Sequence, residues 1–267
     1  MSINFRRAAV RVLVAAGLTF ALGSVVYAAP GAPSIGINFG ANEPNAAGSA
    51  VTSAAGVLDT VTWNNVTGTN GSAPNLNADV AGASTATAAS VNWTSAGTWA
   101  STGRGEENNT APAGPDRNLM TGYLDTGTVG ETGVSISVAN LPPVPGFPFF
   151  DVYVYIKGGV NGRGGTYTIG GTTLEHTGNA AFNGTFLQDT IDPGTTAGSN
   201  YLVFRGLSGS GFTLTTTPTI VSGVARAPVN GIEIVASPIP EPGTIALLGI
   251  GTLIVSAGFA IRRRRSE

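Results

Sequence analysis

The sequence predicts an all-β fold: a single β-sandwich, jelly-roll-like, flanked by an N-terminal signal peptide and a C-terminal transmembrane helix. Three observations carry this expectation. Apolar and polar residues alternate over many short runs, the period of a strand with one buried face. Turn formers punctuate those runs: 39 Gly and 16 Pro make up roughly a fifth of the 267 residues, against a usual ~12%. No long amphipathic helix is visible, so a parallel α/β layout would lack its crossover helices.

Composition removes several functions. There is no Cys, which excludes disulfides, thiolate nucleophiles and cysteine-held zinc or iron–sulfur groups. His176 is the single histidine, so one chain cannot build a multi-histidine metal site. Only 10% of residues are charged, while Thr numbers 32. Residues 34–237 hold 6 basic and 13 acidic side chains, a net −7 with no basic face for nucleic acid. No cofactor and no enzymatic activity are expected.

Taken in chain order, residues 1–28 read as a secretory signal peptide. Arg6, Arg7 and Arg11 form a basic start, Val12–Val26 is uncharged and mostly apolar, and small residues end at Ala28. The body, 29–237, opens with a strand at Ser34–Phe39. Further strands are expected around Val61–Val66, Val91–Trp99 and Thr185–Gln188, with loops over Gly68–Ser90 and Gly103–Arg117. Val134, Ile136 and Val138 alternate with serines. Repeated Pro makes 141–148 a connector, since Pro has no N–H for a ladder. The clearest strand is 149–157. It puts Phe150, Val152, Val154 and Ile156 on a core face and Asp151, Tyr153, Tyr155 and Lys157 on an open one. Gly170-Gly171 turns a hairpin. Tyr201–Arg205 and Phe212–Thr216 form a strand pair, and Gly231–Val235 closes the body.

Few motifs suggest chemistry. Leu124-Asp125-Thr126-Gly127-Thr128 matches the core of an aspartic protease, but one copy supplies half of a carboxylate pair, and a strand-turn explains it. Glu106-Glu107 would point to opposite sides of an extended chain. His176 is expected at the surface or a strand end, because no Gly-x-Ser-x-Gly elbow offers it a nucleophile. Asp189 and Asp192 are a weak Ca²⁺ candidate in a turn, with a plain β-turn as the simpler reading. Trp63, Trp93, Trp99, Tyr153 and Tyr155 are candidates for stacking on sugar rings, weighed against a place in the core.

The C-terminus is the most informative part. Pro240-Glu241-Pro242 opens the segment, 20 residues without a charge lie between Glu241 and Arg262, and Arg262, Arg263, Arg264 and Arg265 follow. A helix over that stretch rises ~30 Å, enough to span a bilayer, and the arginines belong on the cytoplasmic side. Motif, helix 243–261 and basic cluster together resemble the PEP-CTERM sorting signal, over residues 238–267. The resemblance implies a Gram-negative-type exporter of exopolysaccharide and processing near Pro240–Pro242 by an exosortase, an integral-membrane enzyme. It says where the protein goes, not what its body does. The expectation is an exported surface or matrix protein, anchored by the helix as a precursor, structural or adhesive, and associated with exopolysaccharide. A carbohydrate-binding module is the alternative, and a secreted hydrolase the more remote one.

Overall fold

The computed structural model describes residues 32–103, 107–126, 133–178, 180–219 and 226–238. The expected signal peptide 1–28, Glu106, Pro240-Glu241-Pro242, the helix 243–261 and Arg262–Arg265 lie outside the described residues.

The body is all-β, with strands running antiparallel in two main sheets. One sheet is built from β1 (Ser34–Asn38), β4 (Asn77–Val80), β5 (Ala83–Ala86), β10 (Phe149–Tyr155), β13 (Tyr201–Leu207) and β15 (Gly231–Ser237), in the order β13-β10-β15-β1-β4-β5. Short β2 (Trp63–Asn65) adds in parallel beside β1. The other sheet has β3 (Asn70–Ala73), β6 (Ser90–Thr94), β9 (Ser135–Ala139), β11 (Gly164–Ile169), β12 (Thr172–Thr177) and β14 (Phe212–Pro218), in the order β12-β11-β14-β9-β6-β3. β7 (Gly97–Ala100) and β8 (Gly122–Asp125) pair separately, joined through the single turn of helix α1 (Pro115–Leu119).

One apolar cluster takes side chains from both sheets, which makes the body a sandwich. Ile37, Val152, Val154, Ile232 and Phe204 come from the first sheet, and Val91, Ile136, Tyr167 and Leu214 from the second. The alternation along 149–157 therefore names its core face correctly: Val152, Val154 and Ile156 are buried. At ~1.5–3 kcal/mol for each large side chain removed from water, such layers supply most of the driving force.

The opposite face of β10 corrects the expectation of a half-buried strand. Asp151, Tyr153, Tyr155 and Lys157 are buried as well. A second cluster covers this side, containing Val51, Ala55, Trp63, Leu119, Met120 and Phe182 with Tyr153, Tyr155 and Tyr201. Its cover comes from the turns after β1, from helix α1 and from the segment before β13. Tyr155 packs against Trp63 and Phe186, at ring separations of 6.1 and 5.3 Å.

Other boundaries also shift. Gly68–Ser90, expected as a loop, contains β3, β4 and β5. These strands are rich in Asn, Ala and Ser, so their apolar alternation is faint. Val91–Trp99 divides into β6 and β7, and Thr185–Gln188 forms no strand, only a bridge from Gln188 to Tyr201.

Candidate functional site

The aromatic candidates do not gather on one open surface: Trp63, Tyr153 and Tyr155 share the buried second cluster, and Trp93 and Trp99 lie elsewhere. Trp63 is buried over Gly36 of the neighbouring strand, and its indole N–H donates to the Thr60 carbonyl at 2.8 Å. Trp93 lies in the main core over Gly71 and donates to the Gly68 carbonyl at 3.0 Å. A Cβ on Gly36 or Gly71 would fall 2.7 or 2.4 Å from the ring, so both glycines serve close approach. Tyr153 and Tyr155 are buried in the second cluster, and Trp99 is half-buried on β7. Four of the five rings thus have their faces against protein, in two different clusters.

Acidic groups are likewise turned inward. Glu233, in the middle of β15, is fully buried. It accepts hydrogen bonds from Thr60 Oγ1 and from the Tyr155 hydroxyl, the latter at 2.7 Å, while Tyr155 accepts from the Val57 amide at 2.8 Å. Burial, with the nearby negative charges of Asp59 and Asp79, pushes the Glu233 carboxyl up to about 7. A charged residue inside the apolar run Gly231–Ala236 was the sequence cue for this network. Asp125 pairs with Arg226, and the Thr126 hydroxyl accepts from the Ala227 amide, so the Asp-Thr pair ties two chain segments together. Lys157 is buried with its ammonium donating to the Ala180 carbonyl, and burial lowers its pKa to about 8.

His176 is a strand-end residue on β12, as one branch of the expectation had it, but it is buried rather than at the surface. Its Nδ1 is 2.8 Å from Asp189 Oδ2 and 3.5 Å from Ser199 Oγ. A catalytic triad needs acid and hydroxyl on different ring nitrogens. Here both meet Nδ1, and Nε2 is buried without a hydrogen-bond partner. Burial raises the Asp189 carboxyl, but hydrogen bonds from His176 and the Thr196 and Ile191 amides outweigh it, leaving the pKa below the usual value. Asp192 Oδ1 accepts from the Glu175 amide at 3.2 Å. Asp189 thus has both carboxylate oxygens engaged by protein donors, and Asp192 has Oδ1 engaged. Among the described residues no three His, Asp or Glu side chains gather as a metal site.

The surface that does stand out is the outward face of the six-stranded sheet. Its positions carry Ser, Thr or Asn, with Ala139, Gly164 and Glu175 as exceptions. Register aligns Thr173, Thr168, Thr215, Ser135, Thr94 and Asn70 in one row across all six strands. A second row holds Thr213, Ser137, Asn92 and Ser72. Strand spacing of about 4.8 Å makes this a regular array of hydroxyls and amides. Some already pair across strands, as Ser137 with Thr213 and Thr168 with Thr173, each at 2.9 Å. Alternating Thr in β11 and β14 was legible beforehand, but the continuity of the rows needed the pairing order.

At one end of the sandwich the chain enters and leaves. The Ala236 amide donates to the Pro33 carbonyl at 2.9 Å, and Ser237 lies opposite Phe149. A charge-free groove of about 400 Å³ opens there, between the loop 141–148 and the ends of β1 and β15.

Residues 238–265, which begin one residue after β15, match the PEP-CTERM protein-sorting motif. The chain therefore carries the signal of an exported protein sorted by an exosortase, and the exosortase is the kind of partner the motif implies. No curated protein matches the chain.

Proposed function

We propose that this protein is a non-enzymatic component of the extracellular layer, structural or adhesive, whose open sheet face lies against neutral exopolysaccharide. Residues 1–28 are removed on export, 29–237 form the working body, and 243–261 hold the precursor in the membrane until cleavage near Pro240–Pro242. The strand orders β1-β15-β10-β13 and β9-β14-β11-β12 support the jelly-roll form of the sandwich, two interlocked four-stranded sheets.

The observation that carries the role is the outward face with its aligned hydroxyl rows, whose one charged position is Glu175 on the edge strand β12. A polysaccharide offers hydroxyls of its own, and the two charge-free rows meet it with no ionic group to desolvate. Each hydrogen bond contributes little beyond what water already gave. Repetition along both partners supplies the strength, through effective concentration. The internal engagement of Glu233, Asp125, His176 and Asp189 supports a body without catalytic chemistry. Each has its main hydrogen bond or ion pair to another part of the fold.

The test is retardation of purified body in gels loaded with neutral or acidic polysaccharide. The expected result is retardation by a neutral polymer that weakens in a Thr168→Lys, Thr215→Lys variant with an unchanged melting curve. Equal mobility with and without every neutral polymer, or no difference in the variant, refutes the assignment of this face. Sorting is tested separately by replacing Pro240, Glu241 and Pro242 with Ala. Full-length, membrane-retained precursor is expected, against a shortened, released wild type. An ordinary anchor would leave both at full length.

A further inference from the structure

The groove where the chain leaves the body has a chemistry that the polysaccharide reading does not use. Its floor is Ile35, Ile234 and Phe150, residues of the main core, so the groove opens the sandwich interior at one end. Its rim is the loop Leu141-Pro-Pro-Val-Pro-Gly-Phe-Pro148, largely exposed and without a charge. Two further facts separate this loop from an ordinary turn.

The first concerns its backbone. A loop enters an apolar medium more readily the fewer N–H groups it leaves without a partner, since each costs several kcal/mol there. Pro142, Pro143, Pro145 and Pro148 have no N–H. The Leu141 amide donates to the Ser210 carbonyl at 2.9 Å, and the Phe147 amide to the Val144 carbonyl at 2.9 Å. Six of the eight positions therefore need no water for a donor. Proline also fixes the loop's shape, so little freedom is lost on docking.

The second concerns place. Phe149, next to the loop, is the register partner of Ser237, the last residue of β15. From Ser237 to Gly243, where the uncharged stretch is under way, the chain can reach at most ~20 Å even when fully extended. With a membrane span over 243–261, this end of the sandwich is within that reach of the lipid.

We infer that the loop 141–148 and its groove form a membrane-docking surface: Val144 and Phe147 enter the apolar side of the lipid interface while the precursor is anchored. The inference rests on the reading of 243–261 as a membrane span. The body carries net negative charge, so the attraction is apolar rather than ionic, and zwitterionic lipid suffices. The docked body holds its short exit segment at the membrane surface, where a membrane-embedded processing enzyme works. Release of the helix removes the tether, and one small apolar loop is too weak an anchor to keep the body bound.

The chain has no Cys, so single probes can be placed cleanly. Full-length protein with Val144→Cys, or with Val160→Cys at the opposite end of β10, is labelled with an environment-sensitive fluorophore and reconstituted in phosphatidylcholine vesicles. At 144 the emission should shift to the blue, be quenched by quenchers on the acyl chains and resist aqueous iodide. At 160 the reverse is expected. Adding Phe147→Asp, or Pro145→Asp at the exposed tip where no buried contact is lost, should return the probe at 144 to aqueous behaviour. If the chain floats with the vesicles but 144 behaves like 160, the docking surface is wrong while the anchor reading stands. Shielding at 144 that grows with protein concentration in detergent means that a second copy covers the groove, and it overturns the proposal. If the chain does not float with vesicles, the anchor reading and this inference fall together.

Discussion

Strands β10 and β14 both alternate two classes of residue, yet their outward sides meet different surroundings. On β10 those positions are Asp151, Tyr153 and Tyr155, and all three are buried beneath a second apolar layer. On β14 they are Thr213, Thr215 and Thr217, exposed or half-buried. Period two states only that a strand has two faces. What decides their fate is whether the second face carries enough apolar area to recruit a cover. Two tyrosines, joined by Trp63, Tyr201 and Val203 of neighbouring strands, do so. A row of threonines does not.

The largest expected effect tests the cover itself. Ile156→Ala, on the inner side, should cost about 2–5 kcal/mol by cavity formation. Tyr155→Ala, on the covered outer side, should cost at least as much. It removes a large ring from the second cluster and leaves the Glu233 carboxyl and the Val57 amide each short of a partner. Denaturant titration of the two variants reads this directly. A loss below about 1 kcal/mol for Tyr155→Ala would mean that the outer layer is not packed, and the contrast between the sheets would vanish.

A second test exploits the polar groups that the cover traps. Glu233 has its pKa raised from the usual 4.5 to about 7, so its neutral form is favoured in the folded state. Its contribution is fully present below pH 4.5 and is lost as pH rises through 7, a decline of roughly 3 kcal/mol. Lys157 acts in the opposite direction. Lowered from 10.5 to about 8, it favours the fold above pH 10.5, and that contribution is lost as pH falls through 8. Between them the two groups place a stability minimum at pH 7–8. A Glu233→Gln, Lys157→Met variant should flatten that part of the stability curve. An unchanged curve would show that neither charge is buried as described.

The core of the sandwich was legible in the sequence because alternation in 149–157, 134–138 and 212–216 is strong and each run is bounded by Gly or Pro. Strands β3 to β5 were not, since Asn, Ala, Ser and Gly carry no apolar stripe and pair only because β1 and β6 offer them edges. The second layer was illegible for a different reason. It is made of turns and a five-residue helix brought together across long stretches of chain, and no local period records that. Glu233 and Lys157 were visible as charges within apolar runs. Their partners, Thr60 and Tyr155 in one case and the Ala180 carbonyl in the other, come from distant segments. The hydroxyl face lay between these cases: its residue types were plain, but its rows exist only through the order β12-β11-β14-β9-β6-β3.

The smallest expected effects lie within three consecutive residues of β14. Thr215 and Thr217 point outward, while Thr216 between them is fully buried, its hydroxyl accepting the Val134 amide at 3.1 Å. The side chains are identical and their surroundings opposite, so composition and propensity cancel. Thr216→Ala leaves a buried amide without this acceptor and should cost about 1–3 kcal/mol. Thr215→Ala and Thr217→Ala remove hydroxyls that water replaces, and each should stay within about 0.5 kcal/mol of wild type. Thr216→Val would separate the lost hydrogen bond from lost volume, since it keeps the shape and still orphans the amide. Equal losses at all three positions would mean that the outward face is covered in the isolated protein. It would then be closed to polysaccharide, and the distinction between the sheets would be one of sequence alone.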